Sequence, residues 1–185
     1  MEHINAKCRK IKQEDLEKIM NWRMMPEITK YMNTDPQLTL EGQQKWFEKI
    51  SKKENEFHWV LEVDEEPIGY VSLVDWDKHN NIIHTGVYIA VKEKRSMVLA
   101  VNLQLSMYEF AFEKLGVNKV SMEILGNNKN VISLNERLGA VREGILRQEI
   151  KKGEDYYDLY LLGVLKQEWQ QIKNKIKYST IEFEE

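Results

Sequence analysis

At 185 residues, with 42% hydrophobic and 31% charged residues, the chain has the size and composition of one soluble globular domain and is short for two. A net charge of −3 argues against a general nucleic-acid-binding surface, and no apolar run approaches the roughly 20 residues needed to span a bilayer. The single cysteine, Cys8, excludes an internal disulfide, and no His/Cys group has metal-ligand spacing. The start, Met1-Glu2-His3-Ile4-Asn5, lacks the basic-then-apolar form of a secretory signal, so a cytoplasmic, metal-free protein is expected.

No repeat, low-complexity block or linker interrupts the pattern, which predicts a single domain over residues 1–185. Residues 6–11 predict a first strand. Residues 13–24 predict a helix with Leu16, Ile19, Met20 and Arg23 on one side; Pro26 interrupts it, and residues 27–32 add a further helical turn. Thr39 is placed to N-cap a helix through Ile50 that carries Trp46, Phe47 and Ile50 inward. Residues 57–63 and 67–74 alternate around Asp64-Glu65-Glu66 as a hairpin. A polar turn at residues 77–81 leads to a third strand, 82–91, completing an antiparallel meander.

After a charged turn at residues 92–95, apolar residues recur with helical spacing from Met97 to Leu115, and Gly116 stops the run. A strand at 119–124, a turn at Gly126-Asn127-Asn128 and a short helix at 130–138 follow. Strands at 141–151 and 156–164 then flank Lys152-Gly153-Glu154, a helix covers 168–176, and residues 178–185 form an acidic tail expected to be loosely held. This order predicts an α/β (α+β) architecture: a mixed, mostly antiparallel central sheet of about seven strands with helices on both faces.

The chemistry-bearing stretch is the passage from strand 82–91 through the cationic turn into helix 97–115. The first N–H groups of a helix have no internal partner and the helix dipole leaves positive charge there; Arg95 adds a full charge. Together these suit an anion such as a pyrophosphate.

Several stretches resemble the GNAT acetyltransferase superfamily. Arg95-Ser96-Met97-Val98-Leu99-Ala100 stands where that family has its pyrophosphate loop. Residues 128–140, from Asn128 through Asn135 to Gly139-Ala140, resemble its following helix motif. Arg142-Glu143-Gly144-Ile145-Leu146-Arg147, Tyr157-Asp158 and Glu168-Trp169 resemble the ending of the ribosomal-protein alanine acetyltransferase branch. Asn21-Trp22-Arg23-Met24-Met25-Pro26-Glu27-Ile28 and Tyr31-Met32 resemble the opening of the pseudaminic-acid-pathway branch, which acetylates a UDP-linked amino sugar.

The resemblance implies an acyl-CoA N-acyltransferase-like fold and acetyl transfer from acetyl-CoA to an amine. The pantetheine arm would pair with the backbone of Ile89 and Val91, the pyrophosphate would rest on Arg95, Ser96, Met97, Val98, Leu99 and Ala100, and Asn128 would contact the arm. Asn128 suits a turn cap equally well. The chain departs from the family at Val98, where a stiff β-branched residue replaces glycine, and at Asn135, which replaces the tyrosine proposed to protonate the thiolate. Ala140 replaces a phenylalanine, and Gln43 a histidine of the nucleotide-sugar branch.

Glu123, in an otherwise apolar strand, is the candidate base, a part-buried glutamate being suited to accept a proton near neutrality; it equally suits a solvent-facing position with Ser121. Tyr88 and Asn135 are candidate donors to the thioester. Arg23, Gln43 and His84 are candidate acceptor contacts, Arg23 being placed also for an ion pair with Glu27. Trp22, Trp46 and Trp59 suit core packing better than stacking on a base.

The leading acceptor reading is a nucleotide-linked amino sugar, with a protein N-terminus or a polyamine as the alternative. A lapsed, ligand-binding version of the fold is the alternative from another class. No nucleic-acid or membrane partner is expected, and a homodimer is left open.

Overall fold

The computed structural model describes residues 4–185, so the reading of the first three residues lies outside it. Eight strands form one sheet: β1 (Ala6–Lys10), β2 (Phe57–Val63), β3 (Glu66–Asp77), β4 (Ile82–Ile89), β5 (Lys119–Leu125), β6 (Val141–Lys152), β7 (Asp155–Leu165) and β8 (Glu182–Phe183). Their spatial order is β6-β7-β5-β4-β3-β2-β1-β8. All neighbours are antiparallel except β4–β5 and β1–β8. The helices are α1 (Leu16–Met24), α2 (Pro26–Thr29), α3 (Leu40–Ile50), α4 (Met97–Glu109), α5 (Lys129–Arg137) and α6 (Lys166–Lys175).

Local chemistry explains the element ends. The hairpin between β2 and β3 turns on Asp64 and Glu65, both with φ near +60°, the left-handed pair that a two-residue hairpin loop requires. Thr39 caps α3 through its hydroxyl, which accepts from the Gly42 N–H at 3.1 Å. Pro26 opens α2, where a missing N–H costs nothing. The long apolar run after Met97 is α4 followed by a π-helical turn at Phe110–Lys114.

One face of the sheet packs on α4, α5 and α6 through Leu61, Val71, Leu73, Val120, Met122, Leu103 and Trp169. The other face packs on α1 and α3 through Val60, Ala90, Leu16, Ile19, Trp22 and Ile50, with Tyr70 and Tyr88 at its margin.

Two expectations are corrected. The sheet has eight strands rather than seven, and the extra one lies in the tail expected to be loose. Buried polar residues of α4 hold that tail: the Ser106 hydroxyl accepts from Ile181 N–H at 2.8 Å and the Asn102 carbonyl from Ser179 N–H at 3.2 Å. The Trp59 indole N–H donates to the Glu184 carbonyl at 2.8 Å, and Glu182–Phe183 pairs with β1. The tail covers the outer side of α4, which is why that helix is apolar nearly all round.

Candidate active site

The parallel pairing of β4 and β5 runs from Ile82↔Lys119 only as far as His84↔Ser121. Beyond that rung each strand continues with one partner: β4 stays on β3 up to Gly69↔Ile89, and β5 stays on β7 up to Leu125↔Leu159. Two unpaired backbone edges therefore diverge from a common root, and edges of this kind accept an added extended segment. The end of β4 is drawn away from β5 because Ala90 N–H and Val91 N–H both donate to the Ile68 carbonyl, at 2.7 and 3.2 Å. Gly69 permits the close approach of β3 and β4: a Cβ there would lie 2.4 Å from the Tyr88 carbonyl oxygen.

Arg95 closes the same end. Its Nε donates to the Ile89 carbonyl at 2.8 Å and its Nη2 to the Ala90 carbonyl at 3.0 Å, with the Glu27 carboxylate 3.8 Å away. The backbone groups expected to pair with pantetheine are thus already engaged, Ile89 with Arg95 and Val91 with Ile68.

Ser96 N-caps α4, its hydroxyl accepting from Leu99 N–H at 3.1 Å and its carbonyl from Ala100 N–H at 3.0 Å. Of the first turn this leaves Met97 and Val98 N–H for an external anion. Both side chains are exposed, at 63% and 39%. Asn128 N-caps α5 by position but makes no side-chain capping bond, so its carboxamide is not committed there.

Strand alternation puts His84 and Tyr88 of β4 and Ser121 and Glu123 of β5 on the α1–α3 face, around the divergence. Glu123 is exposed rather than part-buried. Asn135 is turned away from this face. It is 3% exposed, its Nδ2 donates to the Val131 carbonyl at 2.9 Å and its Oδ1 accepts from the Tyr108 hydroxyl at 3.2 Å. Its amide thus donates within α5 while its oxygen accepts from α4. Gln43 is buried in the first turn of α3.

Arg23 does not make the ion pair with Glu27. Its Nη2 donates to Thr34 Oγ1 at 2.8 Å and to the Thr34 carbonyl at 3.2 Å, while Nη1 is buried without a hydrogen-bond partner. Burial lowers its pKa, with the nearby Tyr88 and Asp35 opposing that shift. Burial likewise pushes the Tyr88 phenol up, and its ring stacks on that of Tyr70 with centroids 5.4 Å apart. Trp22 and Trp59 are core residues, whereas Trp46 leans on Tyr70 and His58.

Sequence reasoning missed a polar chain beside these tyrosines. The Tyr70 hydroxyl meets His58 Nδ1 at 2.6 Å, and His58 Nε2 meets Glu56 at 3.2 Å. Glu56 also pairs with Lys53. Period-two alternation in β2 places His58 on the Val60 face, which is the signal that was available. A cavity of about 590 Å³ at the start of β2, lined by Phe47, Ile50, Glu56, His58 and Trp59, lies toward the end of the sheet away from the divergence.

A mixed sheet split between two parallel strands, with a helix N-terminus and an arginine at the mouth of the split, is an acyl-CoA-binding arrangement. The chain belongs to the GNAT acetyltransferase family, whose domain pattern matches residues 7–141. It is an acetyl-CoA-dependent N-acetyltransferase.

The SPbeta prophage-derived uncharacterized N-acetyltransferase YokL of Bacillus subtilis (strain 168) is 32% identical over 127 residues, 68% of this chain and 70% of that one. The uncharacterized N-acetyltransferase p20 of Bacillus licheniformis is 24% identical over 166 residues, 87% of this chain and 93% of that one. A solved spermidine N-acetyltransferase from Vibrio cholerae, in complex with CoA and spermine, superposes with a TM-score of 0.84 at 22% identity, covering 90% of this chain and 98% of that one. Identity that low shows a shared fold. No described helix is long and apolar enough to cross a membrane, and no described His/Cys/Asp/Glu group could hold a metal ion.

Proposed function

We propose that the acceptor is a small amine carried on an anionic group, with a nucleotide-linked amino sugar as the type. One observation carries this reading. Arg23 is a part-buried cation beside Tyr88, it has a buried donor with no partner, and its hydrogen bonds go only to Thr34, none to a carboxylate. A guanidinium with an unfilled buried donor, and with Asp35 near but not bonded to it, favours a bound phosphate or carboxylate, which it can grip with two parallel bonds.

In this reading the pantetheine arm lies along the opened edge of β4, with the diphosphate at Arg95 and the first turn of α4. The acceptor amine attacks the thioester carbonyl carbon and the C–S bond breaks. One amine proton passes to Glu123 or His84, directly or through water, and the departing thiolate takes up a proton. Most of the rate comes from holding the two reactants in line.

A polyamine acceptor is the second reading, favoured by the likeness to the spermidine enzyme; a polycation would set like charge against Arg23. The test is release of free thiol from acetyl-CoA in the presence of UDP-linked amino sugars, spermidine and N-terminal peptides. Turnover of the sugar nucleotide that falls at least tenfold in Arg23→Met supports the reading. Turnover of spermidine that survives Arg23→Met overturns it in favour of the polyamine. Calorimetry that detects no CoA binding would support a lapsed, non-catalytic fold.

A further inference from the structure

The far half of the molecule reaches across the divergence of β4 and β5 to the loop after α2. Asn127, in the turn that follows β5, donates from Nδ2 to the Lys30 carbonyl at 2.8 Å. Lys152, at the tip of the β6–β7 hairpin, donates to the carbonyl of Thr29 and, at 2.9 Å, to that of Met32. The same ammonium lies 2.9 Å from the Asp35 carboxylate, and its side chain is only 10% exposed. From the near half Arg23 ties the loop through Thr34.

The hairpin arrives there because β6 is bent. Its register slips between Leu146 and Ile150, so three residues face Asp158 alone, and Gln148 takes φ +54° while its N–H donates to the Asp158 carboxylate at 2.9 Å.

We propose that residues 29–35 are a strap over the acceptor side of the cleft, held shut by Lys152 and Asn127. The acceptor must then reach the thioester beneath it. This rests on the reading that the divergence holds the thioester, and it deepens that reading by naming what the site refuses. A slender amine passes under a strap tied on both sides; the N-terminus of a folded protein does not. Lys152 acts through the loop and is a positioning residue. Without it the Met32 carbonyl in the loop and the Thr29 carbonyl at the end of α2 lose the Lys152 donor and Asp35 its counter-ion, so the strap lifts.

The experiment compares the parent chain with Lys152→Ala, Lys152→Arg and Asn127→Ala. It measures acceptor and acetyl-CoA KM by thiol release, and deuterium uptake over residues 29–35. The acceptors are UDP-linked amino sugars, spermidine and an N-terminus displayed on a folded carrier domain. Lys152→Ala is expected to raise the small-acceptor KM about tenfold and leave the acetyl-CoA KM within about twofold, with faster exchange confined to the strap. Asn127→Ala should move both readouts in the same direction, and Lys152→Arg, which keeps charge and donors, should recover most of the loss.

Fast exchange over 29–35 in the parent defeats the strap on its own. An unchanged acceptor KM in a Lys152→Ala protein whose loop exchanges faster defeats its role. Acetylation of the displayed N-terminus by the parent as readily as of a small amine defeats the claim of exclusion. A parent that acetylates nothing in the panel defeats instead the reading of the site.

Discussion

The phenol of Tyr70 lies 2.6 Å from Nδ1 of His58, and toward the neutral imidazole it is the donor, a direction set from the far side of the ring. A carboxylate only accepts, so the Glu56 contact at 3.2 Å assigns the ring proton to Nε2 and leaves Nδ1 as acceptor. A protonated Nδ1 would turn that contact round, with the phenol oxygen accepting, so burial rather than the hydrogen bonds disfavours the charged ring. Burial lowers the His58 pKa, with Glu56 partly opposing and Lys53 adding to the shift.

A histidine held below its ordinary value binds fewer protons folded than unfolded. Stability should therefore rise with pH across the window from the lowered value to about 6.5 and flatten above it. Urea midpoints measured between about pH 5 and 7.5 should slope upward in the parent, and His58→Gln should flatten that slope. An equal slope in both proteins would show that His58 does not titrate between the two states.

Arg9 sits between two buried carboxylates. It grips Asp15 with two bonds at 2.7 and 2.8 Å and Glu62 with one at 2.5 Å. Burial alone would raise both acids. Hydrogen bonds from Arg9 and the Lys12 N–H outweigh it at Asp15, and those from Arg9 and Lys7 outweigh it at Glu62, so both pKa values are lowered. Their contribution to stability is complete above the ordinary carboxylate values and is lost as pH falls through the lowered ones.

Arg9→Met should cost about 3 kcal/mol at pH 7, since it strands two acids that the fold keeps dry. The deficit should shrink in acid as those acids are protonated. Chemical denaturation at pH 7 and pH 3 reads both effects, and a deficit that does not change with pH would assign the loss to packing.

Gly69 is required by a backbone neighbour rather than by its own dihedral angles. A Cβ would meet the Tyr88 carbonyl oxygen at 2.4 Å and Ile89 Cα at 3.0 Å, and neither belongs to a side chain that can rotate away. Gly69→Ala should destabilise by about 2 kcal/mol, a fall in Tm of about 6 °C. It should also weaken CoA binding, because β4 must shift at the end where it diverges from β5. Melting and titration on the same preparation separate the two losses.

Elements built from neighbouring residues were legible in the chain; contacts across it were not. Alternation along 57–63 and 67–74, the polar turn at 64–66 and the Thr39 cap act over a few residues, and the structure keeps them nearly unchanged. The strand–turn–helix at Arg95 was legible for the same reason.

Alternation assigned Glu123 to a face but could not say how far that face is covered; α1 and α3 pack on it at β2 and the end of β4, and Glu123 on β5 stays exposed. Asn135 was read from its motif position, whereas its surroundings are set by Tyr108 on another helix. The tail was read as loose from its charge, yet its backbone is held by Ser106 and Asn102, which sit inside an apolar run. Lys152 looked like an ordinary turn lysine, and its three oxygen partners lie about 120 residues away in the chain.

Arg95 gives the sharpest test of the cofactor end, because it is engaged with the protein and still has donors left. A guanidinium carries five N–H groups; Nε and one on Nη2 go to the Ile89 and Ala90 carbonyls, leaving the rest for a diphosphate at the start of α4. The residue can thus hold the end of β4 and a phosphate together, or leave the Ile89 carbonyl to a pantetheine amide and turn wholly to the phosphate. Either way its removal costs affinity.

Arg95→Ala should weaken CoA binding by at least tenfold, the worth of one charge-assisted hydrogen bond. Arg95→Lys should fall between, since an ammonium keeps the charge but cannot reproduce the fork that spans two carbonyls. The salt dependence of CoA affinity should be shallower in Arg95→Ala than in the parent. Calorimetry at two ionic strengths reads all three. Equal affinities in parent and Arg95→Ala would leave Arg95 as a cap on the end of β4 and assign the diphosphate to the α4 N–H groups alone.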